Sequence, residues 1–147
     1  MRCPPILSPV KKKSIQFRLL KAATPGSYAF ILHATREVPK RLLHPSRRTI
    51  GVRVPEHKVA QARRAEIGEP LLSSTLLLPG DETPLNDAQE IRERLEHRVE
   101  LVLDAGSCGI VPTTVVDLTG ATPVITRVGK GSIELFGFDR SLEREQE

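Results

Sequence analysis

The chain has 147 residues, enough for one domain with a working core. Its hydrophobic fraction of 39% comes close to the usual ~45–50% once the ten glycines are added, so a disordered polar chain is excluded. Four Phe, one Tyr and no Trp leave an aliphatic core and argue against a single-strand binder that stacks bases on exposed rings, while a net charge of +4 conceals a strongly uneven distribution.

Residues 1–16 carry three prolines and the Lys11–Lys13 run without sustained periodicity, and read as an irregular segment. A Pro-Gly turn then precedes Tyr28–His33, a first strand, and EVPKRLL reads as a short helical turn. Arg48–Val54 alternates Thr49, Gly51 and Arg53 with Ile50, Val52 and Val54, which predicts a second strand. Pro55–Ile67 has proline at a first helical position and Gly68 just past the end, which predicts a helix with Arg63 and Arg64 facing outward. Leu71–Leu78, LLSSTLLL, reads as a third strand interrupted by three hydroxyls. Asp87 with Glu90 three residues on has capping-box spacing and starts a helix whose inner face carries Ala88, Ile91, Leu95 and Val99. Val99–Leu103 is expected as a fourth strand. A Gly-containing loop leads into the strand of PTTVVDLT (112–119), and a turn returns the chain through Pro123–Val128 as an antiparallel hairpin. Strands and helices alternate in the middle and strands dominate late, so the fold class is a mixed α/β sheet.

Cys3 and Cys108 form no CxxC, and His33, His44, His57 and His97 are scattered. Neither a disulfide framework nor a metal site is expected, and both cysteines read as free thiols in a reducing compartment. No apolar run reaches the ~18 residues of a membrane span, and none follows Lys11–Lys13 as a signal peptide requires, so the cytoplasm is the expected location. From Arg36 to Arg64 nine Lys/Arg stand against two acids, a local charge of +7. Arg36, Lys40, Arg41, Arg47, Arg48, Lys58, Arg63 and Arg64 are the candidate contacts to a polyanion such as RNA, with a solvated surface as the open alternative. Residues 132–147 form an acidic tail without an assigned role. The hydroxyls Ser73–Thr75 and the run ending at Asp117 have two readings: bonds to backbone, with Asp117 closing a turn, or donors to a ligand at a strand end. No glycine-rich phosphate loop, Ser-His-Asp arrangement or paired-acid motif is present, and no catalytic residue is assigned.

Five segments in order, TPGSYAFIL (24–32), EVPKRLL (37–43), RRTIGVRVP (47–55), GEPLLSSTLLLPG (68–80) and PTTVVDLTGATPVITRVGKG (112–131), resemble the YrdC/YciO family, specifically its YciO-like branch. The likeness runs from Phe17 to Gly131 and implies a twisted open α/β sheet with a concave basic face suited to double-stranded RNA. Its best-known members are threonylcarbamoyl-AMP synthases, which join ATP, L-threonine and bicarbonate or CO2 into an intermediate of tRNA modification and release pyrophosphate. The resemblance thus implies ATP as a substrate, with or without Mg2+, and no tightly bound cofactor. It implies double-stranded RNA or tRNA, ATP and L-threonine as partners, and no membrane. By the same resemblance Arg53 matches the arginine of a GVRxP strand, Ser74 and Thr75 a Thr-Ser pair lining the nucleotide pocket, Thr113 and Thr114 the start of an STVVD motif, Asp117 its acid, and Arg127 the arginine before its glycine. The family's usual first segment, with its PTDTxYGL strand and KxRxxxKP-type motif, has no counterpart in residues 1–16, so the chain reads as an N-terminally truncated version. Ala29 stands where the family has threonine, Leu77 where synthases have asparagine, and Val128 where a proline is common. A non-catalytic double-stranded RNA-binding module and a truncated remnant remain as alternatives.

Overall fold

A computed structural model describes residues 14–36, 38–39, 42, 46 and 48–137 of the chain. It is a mixed α/β structure with three helices and one four-stranded sheet, and it divides into two compact units, residues 1–69 with 112–147, and residues 70–111.

In the first unit, α1 (Ser14–Ala23) precedes β1 (Tyr28–His33), β2 (Thr49–Val52) and α2 (Lys58–Ile67). The chain re-enters this unit as β3 (Thr114–Asp117), β4 (Val124–Arg127) and a 3-10 turn at Glu134–Phe136. Strand order is β2-β1-β3-β4, with a parallel pair β1/β3 at the centre and an antiparallel strand on either side. The hairpin expected of PTTVVDLT and Pro123–Val128 is the β3/β4 pair, with a bulge between Val115 and Val116.

Period-two alternation decides which residues enter the core. Phe30 lies in register with Val52 on one side and Val116 on the other, so these three share a face. That face packs with Leu32, Leu118, Leu20 and Ala23 of α1, and Phe136. Phe136 lies edge-on to Tyr28 at 5.6 Å between ring centroids and 6.1 Å from Phe30. Each large apolar side chain buried here contributes roughly 1.5–3 kcal/mol.

The helix α1 begins inside the stretch read as irregular. Its apolar positions Leu19, Leu20 and Ala23 follow helical spacing, a signal obscured by the prolines and lysines before it. Gln16 bonds the Leu118 carbonyl, and Thr24 Oγ1 donates to the Leu20 carbonyl at 2.6 Å near the helix end. The helix predicted from Pro55 starts later, at Lys58. Val54 and Pro55 instead link β2 to the helix: Gly26 N–H donates to the Val54 carbonyl (2.9 Å) and Gln61 Nε2 to that of Pro55 (3.0 Å). It ends as read: Gly68 has φ 73°, a left-handed conformation that favours glycine, and its N–H bonds Arg64 O at 3.0 Å. No residue of α2 is buried. Of EVPKRLL, only Val38, Pro39 and Leu42 are described; Leu42 N–H bonds the Pro39 carbonyl at 2.9 Å in a short turn.

The second unit contains α3 (Ala88–Leu95), the helix read from its cap. Asp87 Oδ1 accepts the Glu90 N–H at 2.8 Å, Leu95 is buried, and Arg94 pairs with Asp81 at 2.9 Å and Glu90 at 3.5 Å. The hydrogen bond to Asp81 raises the Arg94 pKa, although the desolvation of its head acts the other way. The strands expected at Leu71–Leu78 and Val99–Leu103 are not formed. Neither segment has a ladder partner among the described residues, and Leu72 and Leu101 are 86% and 68% exposed. Apolar run length reports a preference for burial, and a strand also requires a neighbouring edge.

Candidate functional site

The four strands bring a set of side chains to one end of the sheet and leave its second face partly open. Val115 is in register with Ala29 on one side and Arg127 on the other, and Arg53 follows Val52, the partner of Phe30. Alternation therefore puts Arg53, Ala29, Val115 and Arg127 in one row on the face opposite the core. With strands about 4.8 Å apart, the two arginine backbones lie roughly 14 Å apart, within reach of one ligand between their side chains. Both arginines are exposed, Ala29 and Val115 are half-buried, and a Cβ added to nearby Gly51 would meet nothing within 4 Å. The floor is small and apolar, and its ends are cationic.

Thr113 and Arg127 are joined directly. Arg127 Nε and Nη2 donate to the Thr113 carbonyl at 3.1 and 3.0 Å, and Nη2 lies 3.3 Å from Thr113 Oγ1. Thr114, on the other face, is fully buried. Its hydroxyl donates to the Gly131 carbonyl at 2.6 Å and accepts the Gly129 N–H at 3.0 Å. Lys130 N–H donates to the Pro112 carbonyl at 2.8 Å, and Tyr28 Oη–H to that of Ser132 at 3.0 Å. Gly129 and Gly131 have no room for a side chain: a Cβ would strike the Pro112 and Thr113 backbone in the first case and the Tyr28 ring in the second. Sequence reasoning assigned no role to Tyr28, Gly129, Lys130 or Gly131. The glycine pair of VGKGS was the readable signal for this close approach.

Asp117 lies at the opposite end of β3, roughly 10 Å along the strand from Thr114. Its Oδ1 accepts the Thr119 N–H at 2.8 Å and the Thr119 hydroxyl at 2.6 Å. That is an Asx-type turn, the plainer of the two readings of PTTVVDLT. Ser74 and Thr75 belong to the second unit, where both are exposed and Ser74 Oγ lies 3.4 Å from the Thr75 carbonyl.

Of the basic candidates, Arg36, Arg48, Lys58 and Arg63 are exposed. Arg48 has φ 52° and offers its carbonyl to Ala34 N–H at 3.2 Å. Arg64 is half-buried rather than fully outward, lining a cleft of about 230 Å³ with Thr24, Pro25 and Gln61. Lys40, Arg41 and Arg47 lie outside the described residues, as do Cys3 and residues 138–147 of the acidic tail; Cys108 is an exposed free thiol. No helix among the described residues is long and apolar enough to cross a membrane.

The architecture defines an α/β domain whose mixed sheet presents a cationic end. The Sua5/YciO/YrdC family, described as telomere recombination, matches residues 6–129. The chain is 50% identical to YciO of Escherichia coli over 123 residues, covering 84% of this chain and 60% of that protein. The crystal structure of E. coli YciO superposes with a TM-score of 0.81 at 49% identity, over 86% of this chain and 62% of the other. Pyrococcus abyssi Sua5 complexed with L-threonine gives 0.76 at 25% identity over 87% and 38%. The threonylcarbamoyl-AMP synthase of Bacillus subtilis is 29% identical over 112 residues, 76% of this chain and 32% of the enzyme. The chain belongs to the Sua5/YciO/YrdC family. It spans about 60% of the length of the curated relatives it matches at about 50% identity.

Proposed function

We propose that this chain is a cytoplasmic nucleotide-binding protein related to threonylcarbamoyl-AMP synthase, taking ATP at the cationic end of its sheet. The observation that carries this reading is the row Arg53–Ala29–Val115–Arg127, with Arg127 fixed on Thr113. An adenylyl transfer that releases pyrophosphate needs cations beside a triphosphate, both to bind it and to stabilise the departing charge. Arg53 and Arg127 are suited to that task, because a guanidinium stays charged and presents paired donors to phosphate oxygens. The Thr113 hydroxyl is a further candidate contact. Ser74, Thr75, Thr114 and Asp117 enter the nucleotide set only through the resemblance, and the hydroxyl of Thr114 and one oxygen of Asp117 already have protein partners. ATP acts here as substrate, with or without Mg2+, and L-threonine and bicarbonate as co-substrates. Titration calorimetry with ATP tests the reading, followed by a pyrophosphate-release assay with L-threonine and bicarbonate. Saturable ATP binding weakened at least tenfold by Arg127→Ala is the expected result, and absence of ATP binding overturns the nucleotide reading. ATP binding without pyrophosphate release removes the synthase step alone.

A second reading, a non-catalytic double-stranded RNA-binding module, is favoured by α2. A ten-residue helix with no fully buried residue that exposes Lys58 and Arg63 has the character of a surface for a polyanion. Affinity for an RNA duplex should then fall with salt, with a slope of log K against log[salt] of about −3 if three or four phosphates are neutralised. A slope near zero, or one unchanged in a Lys58→Ala/Arg63→Ala double variant, removes the RNA reading.

A further inference from the structure

We infer that the cleft between α2 and the segment following β2 is a binding site for a small aliphatic monocarboxylate, gripped by Arg64. The cleft shares no residue with the row from Arg53 to Arg127 and does not depend on the nucleotide reading.

The helix α2 is turned the wrong way for a surface helix. Its half-buried side carries Ala60, Gln61 and Arg64, while Val59 and Ile67 are 40% and 45% exposed. An amphipathic helix ordinarily sets its apolar stripe inward and its charges outward. Lys58 and Arg63 obey that rule, and Arg64 breaks it. Arg64 lies four residues from Ala60 and three from Gln61, so the three side chains share one side of the helix. They face a cleft of about 230 Å³ whose remaining walls are Thr24, Pro25, Val54 and Pro55.

The walls are pinned to one another. Gly26 N–H donates to the Val54 carbonyl at 2.9 Å, and Gln61 Nε2 to the Pro55 carbonyl at 3.0 Å. The cleft is thus formed without a ligand, which lowers the ordering cost of binding one. The Arg64 guanidinium takes part in neither ion pair and in no side-chain hydrogen bond between described residues. A charge drawn partly out of water gives up hydration, and a guanidinium without a protein acceptor suits an anion brought from outside.

The lining sets the class of that anion. The apolar atoms of Pro25, Val54, Pro55 and Ala60 suit a short hydrocarbon body. Gln61 spends one amide hydrogen on Pro55, and its second, with the guanidinium, matches the two oxygens of a carboxylate. A phosphate dianion would leave a charge unmatched. Thr24 adds no donor, since its hydroxyl hydrogen already goes to the Leu20 carbonyl. No Asp or Glu lines the cleft, so the ammonium group of an amino acid would have no counter-charge. At roughly 30 Å³ per non-hydrogen atom, the share of one water in the liquid, the volume holds about seven such atoms, the size of a five-carbon acid.

The test is a heteronuclear NMR titration of the full chain with 3-methylbutanoate, followed at the Gln61 side-chain amide and at Arg64 Nε–H. The uncharged 3-methylbutanamide and the zwitterion L-valine keep the same carbon skeleton and are titrated alongside. Saturable shifts with a Kd on the order of 1–10 mM are expected for the acid, with at least tenfold weaker binding of the amide and of L-valine. Arg64→Gln should weaken the acid at least tenfold, and Arg63→Gln, which removes the same charge from the exposed side, less than twofold. Absence of saturable shifts with the acid overturns the site. Equal weakening in both variants also overturns it, because general charge attraction then accounts for binding. An amide that binds as tightly as the acid overturns the role of Arg64, and L-valine binding as tightly overturns the assignment to a simple monocarboxylate. The acid–amide comparison needs no substitution and stands even where Arg64→Gln fails to fold.

Discussion

Replacing Phe30 with alanine is expected to lower the free energy of unfolding by about 3–5 kcal/mol, the largest single effect in the molecule. Phe30 is 1% exposed in a strand flanked on both sides, and it lies between Val52 and Val116 while meeting the ring of Phe136. Truncation removes a buried ring and leaves a space that the sheet on one side and α1 on the other cannot close without moving backbone. Small domains have only about 5–15 kcal/mol in total, so much of the population should unfold under mild denaturant. Urea unfolding followed by circular dichroism measures this through the midpoint at constant slope. A loss below about 1 kcal/mol would place Phe30 outside the core, against the packing described.

Thr114→Val is expected to cost about 2 kcal/mol or more, despite nearly preserving shape. The substitution leaves no cavity. It does leave the Gly131 carbonyl and the Gly129 N–H without the partner they now have, and an unmet buried polar group costs roughly 1–3 kcal/mol. Thr114→Ser keeps the hydroxyl and loses one methyl, worth about 0.8 kcal/mol, so serine should be clearly the milder change. Thermal unfolding of the two variants separates them. Equal stability of the valine and serine variants would show that the hydroxyl bridge does not hold the loop.

Where local chemistry determines structure, the sequence was legible. YAFILH is a β-rich run of strand length and forms β1 over the residues expected; Asp87 and Glu90 start α3; Gly68 ends α2; and Asp117-Leu-Thr closes a turn through its own carboxylate. LLSSTLLL and the segment at Val99–Leu103 show the limit. Their composition favours a strand, but pairing depends on which edge is available, and no residue within either segment encodes that. The site divides in the same way. Arg127 and Thr113 were singled out by the resemblance, and their mutual contact comes from a hairpin register that shifts at a bulge. Thr114 was matched, together with Thr113, to the start of an STVVD motif by the resemblance. Its side chain alternates to the opposite face, where it acts on the loop around Lys130.

The parallel pair at the centre of the sheet also governs when this structure can form. Tyr28 must meet Thr114, and the whole of residues 70–111 lies between β1 and β3 in the chain. A ribosome will have released β1, β2 and α2 long before the strand that joins them has been made. Until then β1 has only β2 as a neighbour, and two strands are marginal in water. The β3/β4 hairpin is local and closes quickly, but docking it onto β1 requires closing a loop that contains most of the chain, a slow step of high sequence separation. The first unit should therefore assemble only after β3 and β4 have been made, with the hairpin arriving last to complete the sheet.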